Sequence, residues 1–82
     1  MLPFEHSSKH AMTNVTEVQL RQSPTELYKI LKFEGIAPSG ALAKQMIADG
    51  MIKVNGETEL RKRRQINAGD MIQIDQQQLL IR

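Results

Sequence analysis

Positions 39–56 pass from a helical spacing of apolar residues to a strict alternation, and the rest of the chain is arranged around that change. Leu42, Ala43, Met46 and Ile47 fall in one arc of a helical wheel, with Ala41, Lys44, Gln45 and Ala48 opposite. Pro38 cannot lie inside such a helix, and the Ser39 hydroxyl can accept from its first free N–H groups, so Ser39 is the expected N-cap. Gly50 supplies the stop. Ile52 and Val54 then alternate with Met51 and Lys53 as a half-buried strand does. Asn55-Gly56 predicts a two-residue type I′ hairpin, which needs φ > 0 at both positions.

Upstream, Ser23-Pro24-Thr25-Glu26 reads as a capping box opening a helix over 24–34, closed by Gly35. Leu27, Ile30 and Leu31 share its buried face with Phe33 at the margin, while Tyr28, Lys29 and Lys32 point outward. The short link to Ser39 turns the two helices into a corner over one core. Val15, Val18 and Leu20 predict a short edge strand over 15–20. Downstream, Asn67 to Asp70 form a turn, Ile72 and Ile74 point inward from a strand over 71–75, Gln76-Gln77 turn, and a last strand covers 78–81. The expected fold is α+β, a single domain in which two packed helices are followed by a small antiparallel sheet. Its core is predicted as Leu27, Ile30, Leu31, Leu42, Ala43, Met46, Ile47, Ile52, Val54, Ile66, Ile72, Ile74 and Leu80.

Composition narrows the function. At 82 residues the chain suits one domain that buries about 60% of its unfolded surface, with little room for a substrate cavity. It has no cysteine, so disulfides and thiolate metal sites are excluded, and it has no apolar run of membrane-spanning length. A cytoplasmic monomer without membrane contact is expected. Residues 1–14 lack periodicity and are expected to form a flexible tail ahead of a domain over 15–82. His6 and His10 in that tail have the spacing of a helical metal pair, but no third ligand accompanies them, so no metal is expected. The net charge of +2 says little about a polyanionic partner, so the placement of the cations must carry that argument.

Catalytic constellations are absent. Gly35 to Gly40 imitates the glycine spacing of a phosphate loop, but Ala41-Leu42 stands where Lys-Ser/Thr is required. No serine sits in a nucleophile elbow, and the region after the tail has no histidine to act as a base. Glu26 and Glu34 read as capping or solvated groups. The chain is therefore expected to be no enzyme, with no cofactor and no small-molecule substrate.

Read as Ser-Gly-x-x-Ala-x-x-Met-Ile-x-x-Gly-x-Ile-x-Val-Asn-Gly from Ser39, the central stretch has a family likeness. With Leu27, Leu31 and Gly35 before it and Gly69-Asp70 after it, it resembles the small RNA-binding domain of ribosomal small-subunit protein S-four, the alpha-L motif. The likeness covers roughly residues 25–75. Lys32, Ser39-Gly40, Ala43-Lys44, Val54-Asn55-Gly56, Glu59 and Arg61-Lys62-Arg63 are similar to stand-alone bacterial members of the YbcJ type. The family often carries arginine where this chain has Glu26, and again directly after the serine where this chain has Gly40.

The resemblance implies non-catalytic RNA binding, and the residues themselves suggest where. Ser39 opens a helix whose free N–H groups suit a phosphate; Lys29, Lys32 and Lys44 lie on outward helical faces; and Lys53 joins the run Arg61, Lys62, Arg63 and Arg64. That run has no acidic neighbour immediately beyond it and is unfavourable until an anion arrives. In an extended run alternate residues point opposite ways, so either Arg61 with Arg63 or Lys62 with Arg64 is expected to meet the RNA. Tyr28 is the one plausible exposed stacking platform, which favours structured RNA, such as ribosomal or transfer RNA, over serial stacking on a single strand. The competing class is a protein-interaction module in a ribosome-associated assembly, which would need an exposed apolar patch.

Overall fold

The computed structural model describes residues 14–82. The expected tail, with His6 and His10, lies outside the described residues except for Asn14, which opens the first strand.

Local chemistry shapes the centre of the chain as expected. Ser39 sits in extended backbone, and its Oγ accepts from the Leu42 N–H at 3.2 Å, starting the helix α2 (Gly40–Ala48). At the other end Gly50 has φ +79°, with its N–H donating to the Ile47 carbonyl at 3.0 Å and that of Met51 to Met46 at 3.2 Å. This is a Schellman stop, in which the last free carbonyls are satisfied by the reversing chain. The first helix, α1 (Leu27–Phe33), ends in the same way at Gly35. Asn55 and Gly56 both have positive φ and join β3 (Ile52–Val54) to β4 (Glu57–Thr58).

The start of α1 departs from the capping-box expectation. Ser23, Pro24 and Glu26 do not begin a helix, because Thr25 and Glu26 form a short strand β2 (Thr25–Glu26) paired antiparallel with β5 (Gln65–Ile66). Glu26 precedes the first helical residue, yet its side chain makes no capping bond. The free N–H groups of the first turn are satisfied at long range: Leu27 donates to the Arg64 carbonyl at 2.9 Å and Tyr28 to the Lys62 carbonyl at 3.2 Å. A distant segment thus does the work assigned to Ser23.

The main sheet has five strands in the order β1-β7-β6-β3-β4, with β1 (Asn14–Val18), β6 (Met71–Ile74) and β7 (Gln77–Ile81). Its four later strands are antiparallel, whereas β1 adds to the edge parallel to β7, from Asn14 opposite Gln77 to Val18 opposite Ile81. The sheet is therefore mixed, and one of its strands precedes the helices. The fold is α+β, with two helices packed over one core with the sheet.

Three residues expected in the core, Leu80, Leu42 and Met46, are not buried. The last turn falls at Asp75-Gln76, with Asp75 at φ +55°, so β7 begins one residue earlier than expected. Directly paired residues share a face, and Leu79 lies opposite the buried Ile72, so Leu79 and Ile81 are buried and Leu80 is only partly so. Leu42 is 49% exposed and Met46 half-buried, because α2 buries only the narrow stripe of Ala43 and Ile47. Val18 and Ala37 join the core unforeseen.

Candidate nucleic-acid interface

The loop after β4 is built around a carboxylate. Glu59 follows the hairpin and donates its N–H to the Ile52 carbonyl at 2.9 Å, which leaves its side chain buried beside the sheet. A buried carboxylate needs donors, and the basic run supplies them. Arg61 gives its backbone N–H at 3.0 Å and Nε at 2.9 Å to Oε2, and Nη2 at 3.0 Å to Oε1. Arg64 adds Nη1 to Oε1 at 2.6 Å. The Arg61 bonds above all, and then that from Arg64, outweigh burial and hold the Glu59 carboxyl at a pKa of about 2. In return Glu59 holds Arg61 above its ordinary value.

This arrangement corrects the extended, anion-starved run. Lys62 and Arg63 form a turn closed by the Arg64 N–H on the Arg61 carbonyl at 3.2 Å, so the strict alternation of faces does not apply. Arg61 and Arg64 converge on Glu59, while Arg63 projects to Glu26. A signal was present in the sequence: in an extended segment Glu59 and Arg61, two residues apart, share a side.

The second carboxylate, Glu26, is neither a cap nor a solvated group. It lies 3.4 Å from Lys29 Nζ and accepts from Arg63 Nη1 at 3.2 and 3.4 Å. Partial burial opposes its ionisation, but the bonds from Arg63 and Lys29 prevail and lower its pKa. Glu26 raises that of Arg63 in turn.

Between these groups stands Tyr28, half-buried at the junction of the helices. Lys44 Nζ lies 4.5 Å from its ring centroid and Arg63 Cζ 5.4 Å, both within range for a cation–π attraction. Gly40 faces the same ring, and a Cβ added there would meet ring carbon Cε2 at 3.6 Å, an ordinary contact.

The expected site residues therefore divide. Lys44 and Arg63 meet at Tyr28, Lys29 shares Glu26 with Arg63, and Lys62 lies on the adjoining turn. Ser39 caps α2 with its hydroxyl engaged by Leu42. Lys32 is exposed in the last turn of α1. Lys53 stands apart: it alternates with the buried Ile52 and Val54 and projects from the opposite face of the sheet. Among the described residues Lys32, Lys44, Lys53 and Lys62 have no carboxylate within 4.0 Å. Glu26 and Glu59, which order the cations, were not foreseen in that role.

No group of acidic or histidine side chains able to hold a metal occurs among the described residues, and no helix among them is long and apolar enough to cross a membrane. A comparison with known proteins finds YbcJ of Escherichia coli strain K12, named "Putative RNA-binding protein YbcJ", 51% identical over 47 residues, which are 57% of this chain and 67% of that protein. YbcJ of Shigella flexneri matches to the same extent. The solution structure of YbcJ from E. coli, described as revealing an alpha-L motif involved in RNA binding, superposes with a TM-score of 0.63 at 39% identity, covering 85% of this chain and 90% of that one. Residues 18–82 match the family model of the S4 domain, and with the helix pair, the sheet and the hairpin in place, the chain belongs to the S4 domain family.

Proposed function

We propose that this protein binds structured RNA without chemistry, acting as a monomer, and that the binding face is the junction of the helices with the basic loop. The observation that carries this reading is the convergence of Lys44 and Arg63 on one half-buried tyrosine, with Lys29 joined to Arg63 through the Glu26 they share. Three elements distant in sequence contribute these cations, and Lys62 adjoins Arg63 on the same turn, so one polyanionic backbone can meet several of them. Lys32 extends the face along α1. Membership of the S4 family, and likeness to a protein named for RNA binding, support the same partner.

Arg61 and Arg64 act on this reading through Glu59, holding the loop so that Lys62 and Arg63 project from it. A preformed loop loses less entropy when it binds. The rigid backbone geometry suits recognition of RNA by shape and phosphate, as structured RNA requires.

The test is a titration of one RNA hairpin, and of an unstructured strand of equal length, at several salt concentrations. Binding should favour the hairpin and weaken linearly on a log–log salt plot, with about 0.7–0.9 of slope per phosphate contact. Affinity that is indifferent to salt, or retention of a protein partner after nuclease treatment with no affinity for RNA, would overturn the assignment.

A further inference from the structure

We propose that Glu26 is a built-in competitor of the RNA backbone: its carboxylate occupies, between Lys29 and Arg63, the position a phosphate takes when RNA binds, and so sets how selective the surface is. This inference rests on the RNA-binding reading above.

Glu26 cannot withdraw with its backbone. It pairs with Gln65 across the β2–β5 ribbon, and the next two residues donate to the Arg64 and Lys62 carbonyls. The side chain alone must move. Its two oxygens face Arg63 Nη1 at 3.2 and 3.4 Å, with Lys29 Nζ at 3.4 Å. One guanidinium nitrogen faces both carboxylate oxygens, and a guanidinium donates to phosphate oxygens as readily as to carboxylate ones, so what satisfies Glu26 also satisfies a phosphate.

The contrast with Glu59 shows why one carboxylate is exchangeable and the other is not. The Glu59 side chain is 9% exposed and takes bonds from two arginines, so no phosphate can reach its place. The Glu26 side chain is 21% exposed, and its partners Lys29 and Arg63 are 47% and 62% exposed. Ion pairs that open to water contribute little, and a polyanion can replace them. Arg63 also keeps Tyr28 as a second anchor, so it remains positioned when it exchanges partners.

The consequence is discrimination. A single phosphate, or a flexible strand, gains little by displacing Glu26. An RNA whose phosphates reach Lys44 and Lys62 as well as Arg63 gains enough to complete the exchange. Glu26 therefore lowers affinity for all RNA but lowers it most for the wrong shape.

The experiment measures hairpin and single-strand affinity for the full chain, Glu26→Gln, the double variant Lys29→Ala/Arg63→Ala, and the triple variant that combines them, with Glu34→Gln as a control of equal charge change. Glu26→Gln should bind the hairpin about three- to tenfold more tightly and the single strand more tightly still, so that preference for the hairpin shrinks. The gain should fall below about twofold in the Lys29→Ala/Arg63→Ala background, and Glu34→Gln should also change affinity by less than about twofold. In the unsubstituted protein, the ¹³C resonance of the Glu26 carboxyl should move on addition of hairpin while that of Glu34 stays, a readout that needs no variant to fold. A parent that binds RNA with an unmoved Glu26 resonance and a Glu26→Gln of equal affinity would overturn the competition and leave RNA binding standing. A gain that persists without Lys29 and Arg63 would show a mere long-range charge effect and would also overturn it. If neither parent nor variant binds RNA at low salt, the RNA-binding reading falls and this inference with it.

Discussion

Arg64 Nη1 donates to Glu59 Oε1 at 2.6 Å, and through this bond a residue beside the β2–β5 ribbon is tied to one beside the main sheet. Since Arg61 grips the same carboxylate, the basic loop closes on an anion of its own chain. Removing that anion should unlock the loop. Glu59→Ala is expected to lower stability by about 2 kcal/mol: less than the 3–5 kcal/mol typical of a fully buried broken pair, because Arg61 is 72% exposed and water can solvate it. Urea unfolding of the variant beside the parent measures the difference.

The same pair shapes acid stability. The carboxyl of Glu59 titrates near 2 in the folded protein against an ordinary 4.5, so the unfolded chain binds the proton more readily. Its contribution is fully present above about pH 4.5 and is lost as the pH falls toward 2. Melting midpoints measured from pH 6 to pH 2 should decline through that window, and Glu59→Gln should show a shallower decline.

Gly56 lies at φ +88°, a conformation strongly disfavoured for a β-branched residue. No heavy atom lies within 4 Å of a Cβ added there, so backbone strain rather than crowding sets the outcome. Gly56→Val should cost roughly 1–3 kcal/mol, read as a lower melting midpoint, and Gly56→Asn should cost less, because asparagine tolerates the left-handed region.

The register of β7 can be tested by paired truncations. Leu79→Ala removes a buried side chain and should cost about 2–5 kcal/mol, while Leu80→Ala, at a partly exposed position, should cost distinctly less. Equal losses would contradict the pairing that sets Leu79 opposite Ile72 on the inward face.

The cations around Tyr28 should matter to RNA more than those on the far face. Lys44→Ala and Arg63→Ala should each weaken hairpin binding and flatten its salt slope by about 0.7–0.9, with folding preserved. Lys53→Ala, across the sheet, should leave both nearly unchanged. Anisotropy titrations at several salt concentrations decide this.

Features determined by a few neighbouring residues were legible without the fold. The Ser39 cap and the Gly50 stop rest on hydrogen bonds spanning no more than five residues, and the Asn55-Gly56 turn on positive φ at two neighbouring residues that tolerate it, so local chemistry suffices. The cations of the candidate site were legible as residue types, and the alternation of Ile52 with Lys53 and Val54 already marked which side faces inward. What the tertiary structure alone decided are the relations between distant residues. Ser23 and Glu26 fit a capping box by spacing, but Ile66 and Gln65 offer Thr25 and Glu26 strand partners about forty positions on, and that pairing wins. Likewise Arg63 and Glu26, 37 residues apart, meet only because the β2–β5 ribbon carries the basic loop over the start of α1. Charge spacing along the chain cannot show which cations are neutralised from within; that depends on which carboxylates the fold removes from water and leaves in need of donors.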